Sequence, residues 1–166
     1  MKYRVTSLIL AVLACLMLLC GCGGEKYEPK TYILRDMTIT LNDSFKQKVN
    51  PNYDGVYVSQ SIGVYITETE FEDMGTDLEK IEDISLTEYA EGFIDGNNLK
   101  TSVVLDQGLI TFTYDIANSG KYYTYYNVVY KSAESFWLVQ FATLRDTFEE
   151  HHDTIRDFAW SVTFGQ

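Results

Sequence analysis

The stretch from Tyr122 to Tyr130 is apolar or aromatic in both of its alternating sets. Tyr122, Tyr126, Val128 and Tyr130 would face one way, and Tyr123, Tyr125 and Val129 the other. The next segment repeats this, with Phe136 and Leu138 set against Trp137, Val139 and Phe141. Side chains of a strand alternate between the two faces of a sheet, so strands like these must be covered on both sides. The expected object is an antiparallel sheet with helices on both faces.

The surrounding sequence supplies the rest of that sheet. Thr101–Asp106, Leu109–Ile116, Lys121–Lys131 and Phe136–Thr143 read as strands separated by Gln107-Gly108, Asn118-Ser119-Gly120 and Ser132-Ala133-Glu134. Connections this short force antiparallel neighbours, which makes a four-stranded meander. Upstream, Met37, Ile39 and Leu41 alternate with Thr38 and Thr40 as in a half-buried strand. Gly55–Gln60 and Gly63–Thr69 form a hairpin after the turn-forming NPNYDG.

Two helices are expected. Ser85 and Glu88 make a capping box, and Leu86, Tyr89, Ala90 and Phe93 give the helix one apolar face. The helix ends in the Asp95-Gly96-Asn97-Asn98 stretch. A second helix starts at Asp146, with Glu149 completing an acid-capped first turn. Its stripe runs through Phe148, Ile155, Phe158 or Ala159, and Val162.

The first residues are a targeting segment. Lys2 and Arg4 precede the apolar run Leu8–Leu19, which falls short of the roughly 20 residues that span a bilayer and suits the core of a signal peptide. The following Leu19-Cys20-Gly21-Cys22 resembles a bacterial lipobox, with cleavage between Gly21 and Cys22 and lipid attachment at Cys22. Cys20 follows the bulky Leu19, and cleavage at Cys15 would leave only a stub of the apolar run. The chain thus reads as a signal peptide at 1–21, a lipidated tether at 22–30 and a globular domain at 31–166. The expected location is the extracytoplasmic side of a bacterial membrane.

Cleavage sharpens the composition. Two of the 13 basic residues leave against 24 acidic ones, which deepens a formal net charge of −11. That charge excludes nucleic acid and anionic lipid headgroups as partners. Acyl chains on Cys22 would hold the membrane alone, at about 0.8 kcal/mol per buried methylene. Cys15 and Cys20 go with the signal and Cys22 is acylated, so disulfides, thiol catalysis and cysteine metal sites are excluded.

The sequence offers little chemistry. His151 and His152 are adjacent, so on a helix they point about 100° apart and cannot chelate one ion together. No nucleophile elbow and no phosphate-cradling glycine loop is present. No catalytic residue, metal site or cofactor is expected. The tyrosines of 122–130 with Trp137 read as sheet core with phenols at the rim; an aromatic ligand platform is the alternative. The densest acidic run, Glu68, Glu70, Glu72, Asp73 and Asp77, lies in or beside an apolar-poor excursion from Glu70 to Asp83. Its spacing matches no calcium loop. Within the strand, Glu68, Glu70 and Glu72 would share a face. Glu70, Glu72, Asp73 and Asp77 are the candidate partner-binding residues, for a basic envelope-protein surface or a cationic ligand.

The order of elements carries one resemblance. An opening strand (MTITLNDSF), a strand pair (GVYVSQ, GVYITETEF), a helix (SLTEYAEGF), the meander and a closing helix running into AWSVTF follow one another. This resembles the PsbP/Mog-like α/β/α sandwich, and among its members the DcrB-like lipoproteins of bacteria. The resemblance implies a three-layer α+β fold and a monomeric, non-enzymatic binding or accessory role, and it lends no catalytic residue. The competing roles are an envelope-assembly component acting by presence alone and an enzyme with a dispersed carboxylate site.

Overall fold

A computed structural model describes residues 27–75 and 78–165. The lipobox residues Gly21 and Cys22, and with them the signal peptide, lie outside this range, as does Asp77. Two sheets form. The smaller has the order β1-β2-β10, from β1 (Pro29–Leu34), β2 (Met37–Asn42) and β10 (Thr163–Phe164). The larger runs β3-β4-β5-β9-β8-β7-β6, from β3 (Lys46–Lys48), β4 (Gly55–Val58), β5 (Gly63–Glu70), β6 (Val104–Asp106), β7 (Leu109–Asn118), β8 (Lys121–Lys131) and β9 (Ser135–Leu144).

Every strand pairing is antiparallel, and the expected meander is present as β6-β7-β8-β9. Its two tight turns are what the sequence demanded. Gln107-Gly108 and Ser119-Gly120 all adopt positive φ, the conformation that matches a two-residue connection to the twist of its strands. The β4–β5 hairpin pairs Val58 with Gly63, and β5 then docks on β9 along eight residues from Gly63 to Glu70. The central strand β9 is buried from Ser135 to Thr143, as two-sided apolarity required.

The helices are α1 (Phe71–Met74), α2 (Leu78–Glu82), α3 (Leu86–Gly96) and α4 (Phe148–Trp160). Helix α3 buries Ala90 and Ile94 against Phe112, Val129 and Leu138 on one sheet face. Helix α4 buries Ile155 and Ala159 on the other, against Tyr126, Val128, Val139 and Phe141. That second face is not covered by a helix alone. Met37, Ile39 and Leu41 of β2 join the same core, so the covering layer is one helix beside a three-stranded sheet. The fold is α+β as expected, with the opening strand in a sheet of its own.

Four local expectations are corrected. The tether read as 22–30 ends inside β1, which starts at Pro29. The last helix does not start on an acid cap: Arg145–Thr147 form a 3₁₀ turn, and Thr147, the capping residue, makes no side-chain cap bond. The acidic excursion is no bare surface loop, since Phe71 and Ile81 are buried on Phe136 and pin α1 and α2 to the sheet. Two apolar anchors suffice where the sheet offers a partner of matching shape. Because the strand stops at Glu70, Glu72 leaves the face that Glu68 and Glu70 share.

The capping box at Ser85 is complete. Ser85 Oγ accepts from the Glu88 amide, and Glu88 Oε2 accepts from the Ser85 amide and hydroxyl. These bonds to the ionised carboxylate hold its pKa below the usual value. The sign follows: stability from this group is present above the unfolded-state pKa and is lost as pH falls through the folded one. Ser85→Ala is expected to lower stability by about 1 kcal/mol. Because the Ser85 amide still donates to Glu88 in this variant, it should flatten the acid limb of a stability-versus-pH profile only in part, and an acid limb identical to that of the parent chain would contradict a role for the hydroxyl.

Candidate functional site

The site begins at the turn between β1 and β2. Only Arg35 and Asp36 connect these strands, and Arg35 takes a positive φ of 53°. The turn aims Arg35 across to β4 and β5, where its guanidinium meets Glu68, Glu70 at 2.9 Å and Asp54 at 3.6 Å. Glu68 is the inner residue, its side chain only 7% exposed. It accepts from Ser135 Oγ at 2.6 Å as well as from Arg35, and its amide donates to Asp54 Oδ2 at 2.8 Å. The Glu68 charge, ahead of the opposing effect of burial, raises the pKa of Arg35.

Around this pair opens a cleft of about 760 Å³. Among the described residues, Asp36, Glu68, Glu70, Glu72, Glu82 and Glu134 bring six carboxylates to its lining, against Arg35 as the one cationic side chain there. Arg35 is already held by Glu68 and Glu70, and Glu72, Glu82 and Glu134 are exposed. Lys131 lies behind the cleft, donating to the carbonyls of Glu82 and Ile84 and resting over Phe136 and Phe71. It closes the end of α2.

The carboxylates line the cleft without converging. Among the described residues no group of three His, Cys, Asp or Glu side chains is placed to hold a metal. Of the residues singled out from sequence, Glu70 and Glu72 line the cleft. Asp73, on the same short helix, is exposed outside the lining, and Asp77 falls outside the described residues. Sequence reasoning missed Arg35, Asp36, Glu82 and Glu134. A two-residue Arg35-Asp36 turn between two alternating segments was the available signal.

His152, Tyr126, Tyr130 and Trp137 resolve into packing. His152 sits 3.7 Å from Asp106 and edge-on to Tyr126, whose hydroxyl donates to the same carboxylate at 2.8 Å. Trp137 and Tyr126 are core, and Tyr130 donates to the Ala159 carbonyl at 2.7 Å. No described helix is long and apolar enough to cross a membrane.

No protein-family model matches the chain, and no curated protein does. Solved structures do. A Bacteroides thetaiotaomicron structure matches at a TM-score of 0.56 and 8% identity, over 84% of this chain and 48% of the other. The chain thus spans about half the length of that protein. Cyanobacterial PsbP from Synechocystis matches at a TM-score of 0.48 and 10% identity, over 87% of this chain and 95% of the other. LpqN of Mycobacterium tuberculosis, described as involved in cell envelope biogenesis, matches at 0.48 and 14%, over 86% and 93%. At such an identity the likeness to the Bacteroides structure is one of fold alone.

Proposed function

We propose that the chain is a non-enzymatic accessory module, held by a lipid on Cys22 at the extracytoplasmic side of a bacterial membrane, that binds a basic protein surface. Its layers are read as helix, sheet, and a helix joined by the small sheet. The observation that carries the binding role is the cleft itself, with six carboxylates around one arginine that is already bound. A cleft lined mostly by one sign of charge concentrates field and draws a partner of opposite charge. Glu68 and Arg35 act as the frame, and Glu70, Glu72, Glu82 and Glu134 are the contact groups. Glu68 has its oxygens committed to Arg35 and Ser135, which leaves it poorly placed to act as a catalytic acid.

A decalysine peptide tests the cleft. Exposed ion pairs contribute about 0.2–1 kcal/mol each, so Glu70→Gln, Glu72→Gln and Glu134→Gln together should weaken binding about tenfold. The salt dependence should shallow with it, while Asp73→Asn, next to Glu72 but outside the lining, should change neither. Equal losses from Asp73→Asn would reduce the cleft to part of a diffuse acidic surface. For the anchor, Cys22→Ala should abolish incorporation of labelled fatty acid, and continued labelling would remove the lipobox assignment.

A further inference from the structure

Helix α3 covers only part of its sheet face, the part built on Phe112, Val129 and Leu138. Strand alternation puts Tyr114, Tyr123 and Tyr125 on the same face, with Tyr65 across the sheet beside Gln140. Tyr53, from the loop before β4, joins them. The rings form a row: Tyr53 to Tyr65 at 5.1 Å, Tyr65 to Tyr125 at 6.3 Å, and Tyr125 to Tyr114 at 5.4 Å between centroids. All five tyrosines are half-buried. The face is opposite to the one that carries Glu68 and Ser135.

Beneath the row lies a polar floor. Gln140 and Asn127 are buried, and Gln140 Nε2 donates to Asn127 Oδ1 at 2.8 Å and to Tyr114 Oη at 3.0 Å. Buried amides in a sheet otherwise packed with apolar side chains cost stability, and here they fix the orientation of a phenol. The hydroxyls of Tyr53, Tyr65, Tyr123 and Tyr125 have no hydrogen-bond partner among the described residues. Burial and, behind it, the neighbouring phenols raise the pKa of Tyr65 and push that of Tyr125 up to about 12; burial likewise raises Tyr114. These three stay neutral at physiological pH, each keeping a proton to donate.

We propose that this tyrosine row is a binding site for a neutral oligosaccharide, held by the free phenol hydroxyls above the Gln140–Asn127 floor. A phenol is both donor and acceptor, so a line of neutral phenols is complemented by a ligand carrying many neutral hydroxyls and no charge. A quaternary ammonium cage needs ring faces turned toward the cation. Tyr114 and Tyr125 instead stack within 4° of parallel and spend their faces on each other. The row crosses β5, β8 and β7, which suits an extended ligand.

The test titrates the full-length chain with chitohexaose and with maltohexaose, followed by calorimetry, and with tetramethylammonium as the cationic probe. At least one hexasaccharide should bind with a Kd of about 1 mM or tighter. Tyr65→Phe with Tyr125→Phe keeps both rings and removes two hydroxyls, and should weaken that binding about tenfold while leaving the melting temperature in place. The cleft variant Glu70→Gln, Glu72→Gln, Glu134→Gln should bind sugar as the parent does, which separates this site from the acidic one. Binding of neither sugar at about 10 mM overturns the proposal. So does binding that survives loss of the hydroxyls, or competition by tetramethylammonium.

Discussion

Truncating Phe141 to alanine is expected to cost the fold about 3–5 kcal/mol. Phe141 is fully buried on β9, between Val64 of β5 and Tyr126 of β8. Its ring belongs to the core that also contains Ile155 and Ala159 of α4 and Met37, Ile39 and Leu41 of β2. Its flanking strands β5 and β8 cannot follow the missing ring without leaving their hydrogen-bonded register. A domain of this size is typically stable by about 5–15 kcal/mol, so the loss would take roughly a fifth or more of the total. Urea unfolding should show a lower midpoint at an unchanged slope. Ile33→Ala on β1, where the side chain is 74% exposed, should be nearly silent. A loss below about 1 kcal/mol for Phe141→Ala would mean that the core closes over the gap, against the packing described.

The second large effect concerns the buried amides. Asn127 Nδ2 donates to the carbonyls of Phe112 at 3.0 Å and Tyr125 at 3.1 Å, and Asn127 Oδ1 accepts from Gln140 Nε2. The two residues face each other directly across β8 and β9. Asn127→Leu alone strips Gln140 of its buried acceptor and should cost about 1–3 kcal/mol, because an amide left unpaired keeps its full desolvation penalty. Asn127→Leu combined with Gln140→Leu should recover most of that loss, since both members of the pair are then apolar. Denaturation of the two single variants and the double would read the coupling directly. Strict additivity would show that the amides do not act as a pair. The double variant also frees Tyr114 Oη from its donor, so sugar binding by the tyrosine row should weaken even as stability returns.

What the sequence determined by itself is local in origin. The meander followed from tight turns that leave neighbouring strands no other partner, and Gln107-Gly108 and Ser119-Gly120 have the expected positive φ. The start of α3 followed from Ser85 and Glu88, whose mutual bonds close within one turn. Two-sided apolarity in Tyr122–Tyr130 and Phe136–Phe141 required cover on both faces of the sheet; α3 covers part of one face, and α4 together with β2 covers the other. The stop at Asp95–Asn98 was likewise legible, because glycine and asparagine oppose continuation of a helix wherever they stand.

Only the tertiary structure decided the rest. No local signal docks β5 on β9 from Gly63 to Glu70, yet that pairing brings Ser135 to Glu68. No local signal turns β1 back on β2 so that Arg35 reaches carboxylates more than 30 residues away. Phe71 and Ile81 sit in an acidic, apolar-poor segment, and their burial depends on Phe136 from another strand. Charge density along the chain pointed to Glu70 and Glu72 but equally to Asp73, because residue spacing carries no information about which acids a distant turn will enclose. Tyr53, Tyr65 and Tyr114 were unremarkable in sequence for the same reason: each reaches the row through a different strand or loop, and adjacency across a sheet is set by register. Pairing over long separations must repay the entropy of closing the intervening chain, and burial of the whole sheet face supplies that repayment where no single segment does.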